Sequence, residues 1–191
     1  MSRDALAVLA AEVADCRACG LARGRTRVVV GEGPTPADIL FIGEGPGARE
    51  DELGRPFVGR SGALLDRLIE QELGRARSAC YIANIVKCRP PENRRPKPTE
   101  ISACLPFLMR QIELVNPTVT LLLGLTASQT ILGENGPLRD MRGRPHDVNG
   151  RTYFVTYHPS AGLRGGAPVV AEMCADFARV GLWGLEHGSK A

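Results

Sequence analysis

The 191-residue chain has no apolar run approaching the length of a membrane span. Its opening residues, MSRDALAVLAAEVADC, carry early acids and lack the layered charge, apolar and small-residue pattern of a secretion signal. The expectation is a cytoplasmic, monomeric protein with no membrane contact. Without a secretion signal, its six cysteines are better read as metal ligands or buried thiols than as disulfides. No Gly-Lys-Ser/Thr follows its glycine-rich turn, which excludes a P-loop, and the glycine spacing is wrong for a dinucleotide fingerprint. Clustered His and Asp ligands of the kind a zinc phosphohydrolase uses are missing too, and the whole chain holds three histidines. No repeat, low-complexity segment or linker divides it, so one domain over residues 1–184 is expected, with 185–191 as a frayed tail.

A strong excess of one charge is also absent. The net charge is +3, which does not by itself demand nucleic acid. Distribution is more informative. Arg23, Arg25 and Arg27 form one basic cluster, Lys87, Arg89, Arg94, Arg95 and Lys97 a second, and Arg139, Arg142 and Arg144 a third. Any one of them is most simply a solvated surface. Three, all near the same group of loops, suit phosphate contacts.

What is present reads as alternating strands and helices. Residues 37–43 (ADILFIG), 80–87 (CYIANIVK), 118–124 (TVTLLLG) and 151–157 (RTYFVTY) are short apolar runs that fit buried strands, with 28–30 as a possible edge strand. Helical patterns cover 3–14 with Ser2 as N-cap, 61–72, 101–115, 125–132 and 171–185, while 44–59 reads as a loop. This alternation predicts an α/β protein with a parallel sheet covered on both faces.

The chemistry-bearing residues fall where strands end. Gly43-Glu44-Gly45-Pro46-Gly47 is a tight turn whose glycines let backbone approach a ligand. Glu44, Glu50 and Asp51 lie in or near it, Asp51 reading as a surface acid. Phe57 is a core anchor or a stacking platform for a planar ligand. Asn84 sits in an apolar strand, where its amide either bonds backbone or reads the edge of a heterocycle. His158 ends the fourth strand ahead of Pro159, a good place for a catalytic imidazole. Cys16-x2-Cys19, Cys88 and Cys104 could share one centre, and their spacing leaves zinc and iron–sulfur nearly even. Cys80 and Cys174 read as buried thiols.

The stretches CRACGL (16–21), GEGPGAREDELGRPFVGRSGALLD (43–66), YIANIVKCRPPENRRPKPTEISAC (81–104), LLLG (121–124) and YHPS (157–160) together span most of the chain. In that order they resemble the family 4 uracil-DNA glycosylases, the iron–sulfur branch of the superfamily. The resemblance implies a three-layer α/β/α sandwich around a four-stranded parallel sheet. It implies a [4Fe–4S] cluster on Cys16, Cys19, Cys88 and Cys104, which breaks the tie with zinc. The reaction implied is hydrolysis of the deoxyuridine N-glycosidic bond in DNA. Phe57 would stack on the flipped uracil, Asn84 would bond its N3–H and O4, and His158 would donate to O2, assisted by backbone near Gly45. The best-known branch has Asp where Gly45 stands and Tyr where Gly47 stands. Here Glu44 would have to help hold water, and Glu50 would have to crowd C5 against thymine.

By the same resemblance, Arg89, Arg94, Arg95 and Lys97 would face DNA phosphates. Ser160, Leu163 and Arg164 would enter the minor groove, with Leu163 as wedge and Arg164 on phosphate. Residues 92–98 contain no His, so the covalent trapping used by another branch is not expected; His146 reads as a surface residue. Lys87 is the one lysine near the expected pocket, so a Schiff-base lyase is not expected. The alternative is a non-catalytic iron–sulfur DNA-binding module, which would have no need of Phe57, Asn84 and His158 together.

Overall fold

The computed structural model describes residues 2–187. Four strands run parallel: β1 (Ile39–Gly43), β2 (Tyr81–Asn84), β3 (Val119–Leu123) and β5 (Arg151–Thr156). A fifth, β4 (His146–Val148), pairs antiparallel with β5. The sheet is therefore five-stranded and mixed, in the order β2-β1-β3-β5-β4, where a four-stranded parallel sheet was expected. The added strand enters through a hairpin. Asn149 and Gly150 both take left-handed φ, 53° and 74°, the Asn-Gly pairing that tight hairpins favour.

Every residue of β1, β2 and β3 is buried, as expected when helices cover both faces. On one face Leu40, Ile42, Leu122 and Val155 pack with Leu108, Ile112 and Val115 of helix α4 (Pro98–Val115). On the other, Phe41, Leu121, Leu123 and Phe154 pack with Leu65, Leu68 and Ile69 of helix α3 (Arg60–Leu73) and with Met173 and Phe177 of helix α7 (Pro159–His187). The three-layer arrangement follows. Helix α1 (Ser2–Ala14) packs on α4. No helix among the described residues is long and apolar enough to cross a membrane.

Several segments differ from the sequence reading. Residues 28–30 form no strand: Val29 donates to the Lys87 carbonyl at 2.8 Å, and Glu32 makes an isolated bridge to Ile82. The expected loop 44–59 contains a short helix, α2 (Ala48–Leu53). Its Asp51 is buried rather than superficial, because it accepts the Thr26 N–H at 3.0 Å and so anchors the segment after the first cysteines. His146 is likewise buried, 2.7 Å from the Met141 carbonyl. The residues after His158 are helical, since α7 already starts at Pro159 and breaks at Gly166 (φ 67°). It continues to His187, so 185–187 are helical; 188–191 lie outside the described residues.

Register brings the site together. Gly43 pairs with Asn84 across β1 and β2, and Leu123 with Thr156 across β3 and β5. The chain passes from β1 to β2 on one side and then returns to β3 on the other. The carboxyl ends of β1 and β3 thus flank a switch point, where open α/β sheets bind ligands.

Candidate active site and thiol pocket

A cleft of about 930 Å³ opens at that switch point. It is lined by Glu44, Gly45, Glu50, Phe57, Asn84 and His158, and at its mouth by Arg94, Arg95, Ser160, Leu163 and Arg164. Arg89 and Lys97 do not line it.

Close packing sets Phe57 and Asn84. A Cβ on Gly43 would stand 2.5 Å from Asn84 Oδ1 and 2.6 Å from the Phe57 ring, so only glycine leaves room for both. A Cβ on Gly62 would fall 1.9 Å from the Phe57 carbonyl oxygen, which lets α3 press against the Phe57 loop. Phe57 adopts φ 50°, an unfavourable conformation for an aromatic residue. It is held there by Arg77, which donates to the carbonyls of Pro56 and Phe57 at 2.5 and 3.0 Å and pairs with Glu32 and Asp66 at 2.8 Å each. The Phe57 and His158 rings lie 5.6 Å apart, tilted by 32°.

Asn84 is 2% exposed, and its Oδ1 has no partner among the described residues. A buried acceptor left unpaired is costly, and here it borders a cleft that a ligand N–H can enter. The Asn84 main-chain carbonyl is fixed by the Lys87 ammonium at 2.8 Å.

His158 is half-buried. The Ser160 N–H points at its Nδ1 from 3.2 Å, and the Ser160 hydroxyl lies 2.9 Å away. A backbone N–H can only donate, so Nδ1 is the acceptor and a neutral ring carries its proton on Nε2. Desolvation first, then the nearby Arg164 charge, pull the imidazole down to about 4, against the opposing pull of Glu50. The ring is neutral at physiological pH.

Glu50 is committed to backbone. It accepts Val58 and Gly59 N–H at 2.9 Å each and Gly47 N–H at 3.1 Å, closing the cleft wall. Its Oε2 occupies the space a side chain on Gly47 would need, 2.7 Å from where that Cβ would be. Glu44 accepts the hydroxyl of Thr126 at 2.5 Å, and Thr126 lies in the first turn of α5 (Leu125–Leu132).

The basic loop is internally braced. Arg94 forks onto Glu100 at 2.7 and 2.8 Å, and Glu100 also accepts the Lys97 N–H at 2.7 Å. The Arg94 bond is the main reason the Glu100 carboxyl drops to about 2. Arg95 donates to Gln129 and Arg89 to Asn93, each at 2.8 Å. Ser160 serves His158, as described. Leu163 is exposed on the first turns of α7. In the third cluster, Arg142 turns inward onto Asp176 at 2.8 Å and over the Tyr157 ring at 4.1 Å.

The four cysteines expected to act together line one small pocket with Val13, Ala22 and Phe107, from which Cys80 and Cys174 are absent. Three of the sulfurs face N–H donors: Ala18 N–H to Cys16 at 3.5 Å, Arg25 to Cys88 at 3.3 Å, and Lys87 N–H to Cys104 at 3.3 Å. Such donors suit anionic thiolates. Arg25, read from sequence as part of a surface cluster, is used here. Among the described residues, no group of three or more His, Cys, Asp or Glu side chains is gathered around a point for a single ion.

Sequence reasoning missed Arg77, Gly62, Thr126 and Asn93. Arg77 acts on backbone 20 residues away in sequence, and Gly62 through a close approach to the Phe57 carbonyl that only the folded turn reveals. Asn93 lines the cleft with φ 55°, a conformation asparagine tolerates, and its place in the PPENRRP loop was the available hint.

A family model described as the Uracil DNA glycosylase superfamily matches residues 30–178. The chain is 48% identical over 159 residues to a Type-4 uracil-DNA glycosylase of Thermotoga maritima, covering 82% of each protein. It is 42% identical over 168 residues to the Type-4 uracil-DNA glycosylase of Sulfurisphaera tokodaii, covering 84% of this chain and 76% of that one. With the Type-4 uracil-DNA glycosylase of Saccharolobus solfataricus it shares 40% identity over 188 residues, 93% of this chain and 85% of the other.

Proposed function

The chain belongs to the uracil DNA glycosylase superfamily, and we propose that it is a monofunctional uracil-DNA glycosylase, hydrolysing the N-glycosidic bond of deoxyuridine in DNA to release uracil and leave an abasic site. The carrying observation is the unpaired, buried Oδ1 of Asn84 beside Phe57 and a neutral His158.

The scissile bond is inaccessible in a stacked duplex, so the nucleotide swings out into the cleft. The base stacks on Phe57. Asn84 Oδ1 accepts from N3–H and its amide N–H donates to O4. Cytosine offers an acceptor at N3 and an amino group at position 4, so both contacts fail for it. As the glycosidic bond breaks, negative charge collects on uracil O2, and the His158 Nε2–H donates to it. A donor that is already neutral and already oriented by Ser160 needs no reorganisation as the charge forms. Glu44, with one oxygen taken by Thr126, has the other available to orient the attacking water beside the Gly45 backbone. Glu50, filling the space beside Gly47, is the wall against which a C5 methyl would press.

Lys87 lines the thiol pocket rather than the cleft, and among the described residues no lysine lines the cleft, which supports a monofunctional enzyme. Arg95, Lys97, Leu163 and Arg164 are exposed and supply the DNA-facing rim, whereas Arg94 acts chiefly by bracing that rim.

Cys16, Cys19, Cys88 and Cys104 would hold a [4Fe–4S] cluster, a reading supported by their common pocket and the N–H donors facing three of their sulfurs. When bound, such a cluster supplies a covalent tie between the segment after α1 and the loop that follows Asn84. The test of the activity is release of uracil from a labelled oligonucleotide containing one deoxyuridine, read as strand cleavage after alkali. Cleavage that requires Asn84 and His158 supports the reading, and no cleavage by folded, iron-loaded protein contradicts it.

A further inference from the structure

Among the described residues Lys87 is a fully buried lysine, with no solvent exposure. Its ammonium donates to the Asn84 carbonyl at 2.8 Å and to Gln111 Oε1. Gln111 is anchored in turn to the Val30 carbonyl at 2.9 Å and to the Tyr81 hydroxyl at 3.2 Å. The main chain of the same residue reaches the other way. Its N–H donates to Cys104 Sγ at 3.3 Å, its carbonyl accepts from Val29, and the next residue is Cys88. One residue therefore touches both the base-reading strand and the thiol pocket.

Burying an ammonium among neutral groups is unfavourable unless an opposite charge repays it. The acceptors on Nζ, the Asn84 carbonyl and Gln111, are neutral. Burial keeps the Tyr81 phenol neutral as well. Lys87 itself lines the pocket of Cys16, Cys19, Cys88 and Cys104, with its main-chain N–H on Cys104 Sγ. Thiolates gathered on a cluster would provide the missing negative charge.

We propose that Lys87 is a positioning residue that couples the two sites: its charge balances the cluster thiolates while its ammonium fixes the Asn84 carbonyl, and with it the amide that reads uracil. The inference rests on the cluster and uracil readings above. It explains why so costly a group sits between them, three residues from one and next to the other.

The experiment compares holoprotein carrying Lys87→Met or Lys87→Gln with wild type. The two readouts are inhibition by free uracil and the one-electron reduction potential of the cluster, titrated with dithionite and mediator dyes. Both variants remove the positive charge, so both are expected to shift the potential to more negative values, which a purely steric role would not do. Lys87→Met also removes the bond to Asn84 and is expected to weaken uracil inhibition about 10- to 100-fold, the scale of outer-shell losses. Lys87→Gln, whose amide can still donate, is expected to retain more of it. An unchanged potential in both variants, or unchanged uracil inhibition in Lys87→Met, overturns the proposal. Should neither variant fold, Gln111→Met keeps the charge and loses one anchor. Weakened uracil inhibition at a near-normal potential is then expected, and unchanged inhibition overturns the coupling. Wild-type protein without an iron–sulfur spectrum, or without uracil release, removes the underlying reading instead.

Discussion

The Ser160 main-chain N–H donates to Nδ1 of His158 at 3.2 Å, and this bond decides where the imidazole keeps its proton. With Nδ1 occupied as acceptor, the neutral ring presents Nε2–H to the cleft. The motif His-Pro-Ser thus encodes a tautomer as well as a position, since Pro159 begins α7 and turns the Ser160 amide back onto the ring.

The first prediction concerns pH. His158 is held down to about 4, so the catalytic step has no acid limb near the usual histidine value of 6.5. A pH–rate profile under single turnover is expected to stay level from pH 8 to about pH 5 and fall only below. Stability follows the same linkage. The unfolded chain binds a proton near 6.5 that the folded one refuses until about 4, so His158 contributes stability above that window and loses it as pH falls through it. His158→Gln is expected to flatten that part of a denaturation-against-pH curve. An acid limb at 6.5 in the wild-type rate would contradict the assignment.

The second concerns Gly43. Gly43→Ala puts a methyl into both Asn84 Oδ1 and the Phe57 ring. Overpacking of this kind costs about 1–3 kcal/mol. The damage is expected to fall harder on uracil release than on melting temperature, because the two displaced groups are the ones proposed to hold the base. Full activity in this variant would mean that Asn84 and Phe57 do not read the base from where they stand.

The third separates bracing from DNA contact. If Arg94 serves mainly to hold Glu100, then Arg94→Ala and Glu100→Gln weaken activity to similar extents, and the double variant is little worse than either. If Arg94 instead grips phosphate, Arg94→Ala alone lowers the salt dependence of DNA binding, by a slope of about 1. Lys97→Ala is the control, expected to change the salt slope and not the fold.

The fourth concerns the thiols. Cys88→Ser is expected to lose iron and the visible absorption of a cluster, whereas Cys80→Ser, whose thiol lies outside the pocket, is expected to retain both. Equal iron content in the two variants would remove Cys88 from the ligand set.

Much of this was legible in the sequence because it depended on local pattern. Apolar runs over 37–43, 80–87, 118–124 and 151–157 announced the four parallel strands, although the second stops at Asn84 rather than at residue 87, and the parallel core brings their ends together. What stayed hidden depended on partners far along the chain. Asp51 and Arg25 read as surface charges until tertiary folding gave them the Thr26 amide and Cys88. Strand β4 spans only His146–Val148, too short for alternation to register, although Asn149-Gly150 was a usable hairpin sign. The turn after His158 looked glycine-rich and irregular, yet Pro159 is a sound helix start and the break waits until Gly166.

The most direct test of the account is a single-turnover assay on an oligonucleotide with one deoxyuridine, comparing wild type, Asn84→Ala and His158→Ala. Rapid alkali-sensitive cleavage by wild type is predicted, with a loss of about 100- to 1,000-fold when the His158 donor is removed. Asn84→Ala is predicted to lose uracil release together with inhibition by free uracil. Wild-type-like rates in both variants would contradict the site, and inactivity of folded, iron-loaded wild type on uracil would contradict the function.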